Sequence, residues 1–370
     1  MNKFIIQYKP FLDQKEANYL KKIISKTFLT ENAETKKFEN NFSKKFKMKN
    51  VIAISNWTVG LFAVLKSINI KEGDEVIIPN LTFFATATPI ILCGAKIVLC
   101  DVETDNFSLD LNKLKKIITK KTRCIIPVHL FGFCCEMDKL KSICKKKRIY
   151  LVEDSAQALG AKYKNEFLGN IGDFGGFSFY GNKIITTGEG SMIVSKKKKF
   201  IGKIYSLKNH GRRKKKIFKH KELGYNFMFT EMQAAIGNVQ LKKFQSILKK
   251  KRKIYNFFYK NLNNLKEIDF PKPINFNKPN YWMTCIFVNK DKNKLKAFLK
   301  KKKIEIRDNF FPINLQPALK FSTYVKSSSD NFENSINLYK KSIILPSSHD
   351  LKLSEMKYIC NQINSFYRMK

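Results

Sequence analysis

The sequence predicts an α/β protein: a mostly parallel sheet sandwiched by helices, followed by a smaller C-terminal α+β domain. Three observations predict it. Short apolar runs alternate with helical stretches from about residue 50 to residue 153. The connections between the runs are long enough for crossovers rather than hairpins. Polar residues gather where several apolar runs end, which is where ligands of parallel sheets bind.

In chain order, an amphipathic helix is expected over 14–24, with no place in the fold that pattern alone assigns. Strands are expected over 51–55, 75–78, 95–100, 123–128 and 149–153, because each is a short apolar run suited to burial on both faces. Helices are expected between them over 58–67, 84–92, 113–118 and 137–147. A further strand-like run covers 174–179. A long helix is expected over 230–248, with Glu231 in its first turn and Met232, Ala235, Ile236 and Val239 on one face. A lysine-heavy helix over 249–262 and a proline-punctuated stretch over 271–279 mark a boundary. Residues 1–248 are therefore expected to form an N-terminal segment and the large domain, and residues 249–370 the small one. The latter contains apolar runs at 282–288, 295–300 and 304–306 and a final helix over 354–366.

An apolar fraction of 44% with 32 Phe excludes a disordered chain. The formal charge of +41 invites a nucleic-acid or membrane reading. However, the basic clusters (113–121, 145–148, 196–199, 212–216, 249–253 and 300–303) are scattered and match no nucleic-acid module. Nucleic acid is therefore not an expected partner, although an anionic substrate would be drawn to such a surface. The eight cysteines form no CxxC pair and no metal-binding spacing with His, so no metal is expected. Free thiols in apolar runs fit a reduced cytosol, and the first 13 residues lack the apolar run of a secretion signal. A cytoplasmic protein that does not enter a membrane is expected.

Among 71 Lys and Arg, Lys183 stands out by its surroundings. A hydrophobic run ending at Phe179 feeds it, and the Thr187-Gly188-Glu189-Gly190 turn closes its loop. Poor solvation there favours the neutral amine, which makes Lys183 a candidate nucleophile. Asp154 ends the run over 149–153 and needs either a capping role or a cation. Ser178 ends another run and is either a phosphate donor or a satisfied core hydroxyl. Asn56-Trp57-Thr58 lies at a strand-to-helix junction, where backbone amides attract an anion and Thr58 doubles as a helix cap. Phe83 is placed either to stack on a flat ring or to enter the core. Asn80 and His129 also fall at strand ends.

The order of these pieces resembles the DegT/StrS family. The resemblance is carried by Gly73-Asp74-Glu75-Val76, Thr82-Phe83-Phe84-Ala85-Thr86-Ala87, Pro127-Val128-His129-Leu130-Phe131-Gly132 and Glu153-Asp154-Ser155-Ala156-Gln157. It continues through Phe177-Ser178-Phe179 with Lys183, Gly224-Tyr225-Asn226-Phe227 and Phe311-Pro312-Ile313. It implies the aspartate aminotransferase fold (fold type I) and a pyridoxal 5'-phosphate (PLP)-dependent sugar aminotransferase. By the same resemblance, Lys183 holds the cofactor covalently and shuttles protons, and Asp154 pairs with the ring nitrogen. Gln157 lies near the ring hydroxyl, Phe83 covers the ring, and Ser178 with Trp57 and Thr58 binds the phosphate. Asn226 reaches the phosphate of a neighbouring subunit in a homodimer. The implied reaction moves an amino group from L-glutamate to a nucleotide-linked keto sugar. Tyr180-Gly181-Asn182-Lys183 with Trp282-Met283 looks most like the perosamine-synthase branch, which acts on 4-keto-6-deoxy sugars for surface polysaccharide. Amination of a 3-keto sugar, a sugar dehydratase and a non-catalytic PLP, sugar or polyanion binder are the alternatives. Lys183 speaks against the dehydratase, in which His replaces it. Lys208 and Arg212-Arg213 are expected to lend a basic surface to an anionic sugar nucleotide. Four positions depart from the family: Trp57 and Ser191 for Gly, Met228 for Arg and Asn314 for His. Trp57 is expected to strain the phosphate turn if that position needs a positive φ.

Overall fold

The structure is a computed structural model that describes residues 4–212, 218–319, 325 and 331–368. Arg213 lies outside the described residues, as does the rest of the basic cluster after Arg212.

Seven strands form the central sheet, in the spatial order Val51–Ile54, Ser191–Ser195, Phe174–Ser178, Tyr150–Asp154, Thr122–Ile125, Glu75–Pro79 and Lys96–Cys100. Only Ser191–Ser195 runs against its neighbours. The other pairings are parallel. The helices fall close to their expected positions, at Trp57–Ser67, Leu111–Ile117 and Met137–Lys147. The expected 84–92 helix is split into a 3-10 turn, Phe84–Thr86, and a short helix, Thr88–Leu92.

Alternation along the strands builds a core on each face of the sheet. Ala53, Phe177, Met192 and Val194 face one core with Phe38, Phe42, Phe46 and Phe244. Ile52, Ile54, Phe174 and Ile193 face the other with Trp57, Leu61 and Ile97. Phe38, Phe42 and Phe46 come from a helix absent from the sequence reading, Ala33–Phe46. Its N-cap Asn32 makes no side-chain cap. Instead Glu231 accepts from the backbone N–H groups of Asn32, Glu34 and Thr35 at 2.8, 2.7 and 2.9 Å and from the Thr35 hydroxyl at 2.8 Å. A carboxylate nearly 200 positions away thus satisfies that helix start and favours its positive dipole end.

A four-stranded antiparallel sheet forms the smaller layer, in the order Ile268–Asp269, Thr284–Val288, Ser342–Leu345 and Arg307–Asp308. The helix Glu231–Leu262 runs unbroken through position 248, so the sequence-expected 230–248 and 249–262 helices are one. Its Phe244 and Ile247 join a core of the large sheet, while Ile254 and Phe258 join the core of the small one. The N-terminal segment reaches that smaller core as well: Ile5 is buried there and bridges Ile304 in parallel. Among the described residues, no helix is long and apolar enough to cross a membrane.

Candidate active site

Six strands share one direction, so their carboxyl ends line a single edge of the sheet. Register places Asp154 beside Gly176, and Ser178 beside Ser191, which in turn faces Ile54. Asp154 and Glu153 are adjacent and point to opposite faces, which gives them different work.

Glu153 is fully buried and accepts from the N–H groups of Gly169, Ile171 and Gly172 at 2.8, 2.6 and 2.7 Å. It also meets His129 Nε2 at 2.9 Å. Burial would raise its pKa, but His129 and the amides outweigh that and hold it below the usual range. His129 therefore braces Glu153, and its Nδ1 has no hydrogen-bond partner among the described residues.

Asp154 is equally buried but less well satisfied. Its Oδ2 accepts from the Thr86 hydroxyl at 2.9 Å and its Oδ1 from the Ala156 N–H at 3.2 Å. Burial raises its pKa, and Thr86, Ala156, Lys183 and Trp57 pull it back only in part. The Trp57 indole N–H is close enough to lower that pKa, yet it completes no hydrogen bond among the described residues. The Oδ1–Ala156 contact is a local capping interaction of the kind anticipated for this position, but it leaves the charge without an ion-pair partner among the described residues.

Lys183 faces this carboxylate. Its backbone N–H closes a turn onto Tyr180 at 2.9 Å, and its carbonyl accepts from the Tyr8 hydroxyl at 2.6 Å. Its Nζ lies 4.3 Å from the centroid of the Trp282 ring. Burial pushes its pKa down to about 8; Asp154 opposes the shift and Arg307 adds to it. About a tenth of the amine is then neutral at pH 7, far more than at the ordinary lysine pKa, which fits the nucleophile expected from the sequence.

At the adjacent helix start, Asn56 rather than Thr58 is the cap, accepting from Val59 N–H at 3.1 Å. The amides of Trp57 and Thr58 have no intrahelical acceptor and open toward the same edge. Trp57 is the first residue of the helix and has no positive φ, so the expected backbone strain does not arise. Its ring instead lies over Gly176, where a Cβ would come within 1.8 Å of it. Gly176 supplies the room that an indole at position 57 requires.

Ser178 Oγ is half-buried and accepts from Tyr180 N–H at 3.3 Å. Among the described residues, the buried Ser191 hydroxyl has no hydrogen-bond partner. Gln157 Oε1 accepts from Phe131 N–H at 3.1 Å, which leaves its amide NH2 as the remaining polar group. Phe83 is 58% exposed and touches Phe310 at a centroid distance of 5.7 Å, so it is not a core residue. Asn226 is exposed on an outer loop opposite Asn209. Its side-chain Oδ1 accepts from Met228 N–H at 3.5 Å, so this chain alone does not bring it to Lys183. Asn314 and Asn80 satisfy each other: Asn80 Nδ2 donates to Asn314 Oδ1 at 2.8 Å, and Asn314 N–H returns to Asn80 Oδ1 at 2.8 Å.

Lys208 is a correction. It is fully buried rather than part of a basic surface, pairing with Glu31 at 2.6 Å and donating to the Ala53 carbonyl at 2.7 Å. Thr86, Tyr8, Trp282 and Arg307 received no role from the sequence. Arg307 alone carried a signal, as an arginine in a region whose basic residues are otherwise nearly all lysines. A cleft of about 740 Å³ elsewhere, lined by residues such as Glu31, Lys36 and Tyr205, shares none of the site residues.

The donor set fits pyridoxal phosphate. A buried carboxylate in want of a cation suits a protonated ring nitrogen, free helix-start amides suit a phosphate, and a lysine with a lowered pKa suits the aldehyde. A mainly parallel sheet with this lysine and acid at its carboxyl edge defines the class: a pyridoxal-phosphate-dependent aminotransferase.

Comparison with known proteins agrees and narrows the class. The profile of the DegT/DnrJ/EryC1/StrS aminotransferase family matches residues 10–364. The chain is 33% identical to GDP-perosamine synthase of Escherichia coli O157:H7 over 371 residues, covering 100% of each chain. It is also 33% identical to the Vibrio cholerae GDP-perosamine synthase, covering 97% of this chain and 98% of that one. Among solved structures, the PLP form of a sugar aminotransferase from Streptococcus pneumoniae superposes with a TM-score of 0.93 at 25% identity, covering 98% of both chains. Helicobacter pylori PseC shares the fold, with a TM-score of 0.93 at 23% identity and full coverage of both chains. The chain belongs to the DegT/DnrJ/EryC1/StrS aminotransferase family, and it is a PLP-dependent sugar aminotransferase.

Proposed function

We propose that this enzyme transfers the amino group of L-glutamate to the ketone of a nucleotide-linked 4-keto-6-deoxy sugar, in the manner of the perosamine synthases it is similar to, for surface polysaccharide. The observation that carries the reading is Lys183, its pKa lowered to about 8, facing the buried Asp154 at the sheet edge. Bound pyridoxal phosphate supplies the electron sink that makes the donor's α-proton removable.

The residues supply the rest. Lys183 would hold the cofactor and, once released from it, would move a proton between the cofactor and the donor's α-carbon in one half-reaction and between the cofactor and the sugar carbon in the other. Asp154 keeps the ring nitrogen protonated; its raised pKa reports how much it gains from a cation. Trp57, Thr58 and Ser178 bind the phosphate, Gln157 offers its amide to the ring hydroxyl, and Phe83 covers the ring from the open side. Asn226, exposed here, serves the phosphate of a second copy in a homodimer with shared sites. Eight free, buried cysteines support a cytoplasmic location.

The test is purified, PLP-loaded protein with L-glutamate and a panel of 4-keto and 3-keto sugar nucleotides. Release of 2-oxoglutarate with a 4-amino sugar product is the expected result. No turnover with any 4-keto substrate would overturn the sugar assignment, and turnover with 3-keto substrates alone would move amination to C3. Sedimentation of the protein, together with recovery of activity on mixing Lys183→Ala and Asn226→Ala chains, tests the shared sites.

A further inference from the structure

Trp57 buries a donor that no acceptor takes. Its side chain is buried, and among the described residues the indole N–H has no hydrogen-bond partner. Leaving such a donor unpaired is destabilising. A phenylalanine would fill aromatic space without that cost, and the chain holds 32 Phe against two Trp. The ring is also closely held. Besides its contact over Gly176, a Cβ on Gly60, the next turn of the same helix, would lie 3.0 Å from it. The strands decide what the ring meets. Gly176 is the register partner of Asp154. Val152 packs in the same core as Trp57, and Asp154, two residues further along that strand, points to the same side. The indole N–H therefore lies beside the Asp154 carboxylate, close enough to favour its charged form.

Asp154 has room for this donor. A carboxylate accepts at about four lone-pair positions. Thr86 takes one on Oδ2 and Ala156 one on Oδ1, which leaves a place for a ring-nitrogen cation and a place for a further N–H. Of the groups that act on Asp154, Thr86, Ala156 and Trp57 are neutral donors, and Lys183 is the titratable one. We infer that Trp57 is a positioning residue whose indole N–H bonds the Asp154 carboxylate, keeping it ionised and aimed at the ring nitrogen of pyridoxal phosphate. Trp57 then serves both ends of the cofactor, its backbone amide the phosphate and its side chain the acid at the ring nitrogen. Glycine, which the family has at this position, offers no such donor, so the contact is a property of this chain. This inference rests on the proposed pairing of Asp154 with the ring nitrogen.

The experiment compares wild type, Trp57→Phe and Trp57→benzothienylalanine, the last of which keeps the size of the ring and replaces its N–H by sulfur. Cofactor-free protein is titrated with pyridoxal phosphate and with its deaza analogue, whose ring carries carbon in place of the nitrogen. The benzothienyl protein should bind pyridoxal phosphate roughly tenfold more weakly than wild type, as for loss of one hydrogen bond to a charged group. It should bind the deaza analogue no more weakly than wild type does. Trp57→Phe should show the same difference between the two ligands, on top of any packing loss common to both. A second readout needs no cofactor. The two Trp give two indole N–H signals in NMR, and the one missing from Trp57→Phe belongs to Trp57. That signal should move downfield as Asp154 ionises, above the usual carboxylate range because burial raises its pKa. The shift should persist in Lys183→Ala, which removes the other titrating group, and vanish in Asp154→Asn. Equal weakening for both ligands, no weakening in the benzothienyl protein, or an indole signal indifferent to Asp154→Asn would overturn the inference. Equal binding of both ligands by wild type would instead sink the pairing of Asp154 with the ring nitrogen, and the indole titration would still judge the contact.

Discussion

Lys251 gives the sharpest quantitative test. It lies on the long helix, 1% exposed, with Nζ donating to the Ser347 carbonyl and 4.2 Å from the centroid of Tyr8. Burial lowers its pKa from 10.5 to about 7. In the unfolded chain the amine stays protonated up to its ordinary value, so between pH 7 and 10.5 the unfolded state binds the extra proton. Stability then rises with pH across that window, by about 1.4 kcal/mol per unit and roughly 5 kcal/mol in all. Below pH 7 both states are protonated and the full burial penalty stands. Lys251→Met removes the titration and keeps the side-chain length. Its advantage over wild type in unfolding free energy should shrink by about 2.7 kcal/mol between pH 7.5 and 9.5. Urea unfolding of both proteins across that range reads it, and loss of the Ser347 bond adds only a constant offset. Curves that run parallel within about 0.5 kcal/mol would refute the burial argument. The result also bears on the site, because the Tyr8 ring beside Lys251 carries the hydroxyl that holds the Lys183 carbonyl.

Lys183→Ala should abolish covalent cofactor attachment, seen as loss of the protein's yellow absorbance, and reduce turnover by about 10⁴-fold or more. Capture of the cofactor by cofactor-free protein should quicken as pH rises and level off above about 8, because the attacking amine must be neutral. Asp154 raises the Lys183 pKa, so Asp154→Asn should shift that profile to lower pH and cut kcat by roughly 10²–10⁴-fold, measured by stopped-flow absorbance and steady-state turnover. Glu231→Ala removes four hydrogen bonds from the start of the Ala33–Phe46 helix and should cost about 3–5 kcal/mol in urea unfolding. Its activity per folded molecule should stay near wild type.

The large sheet was legible because parallel strands buried on both faces must be short and apolar, and their helices must be amphipathic. The Met137–Lys147 helix and the Asp154 strand end therefore read directly from pattern. The Ser191–Ser195 strand did not, since nothing in five mostly small and apolar residues states that they return antiparallel between two strands. The Ala33–Phe46 helix hid for a related reason: its cap, Glu231, comes from the far side of the fold. Lys208 was misread because sequence shows that a lysine is charged and not that Glu31 waits for it in the interior.

At the site, periodicity placed Asp154, Ser178 and the helix start at Trp57 at strand ends, the loop after Phe179 singled out Lys183, and Gln157 entered through the family resemblance. Only tertiary structure decided how their environments differ. Asp154 and Glu153 are neighbours in the chain, yet one is braced by three amides and His129 while the other is left for a cation, because alternate residues of a strand face opposite sides. Trp57 looked strained in the sequence and is relaxed in the fold, because Gly176 on an adjacent strand leaves space for its ring. Arg307 was one basic residue among 71 until packing set it close enough to act on Lys183. Charge and polarity are properties of a residue, but burial, pairing and a shifted pKa belong to the neighbours that folding brings to it.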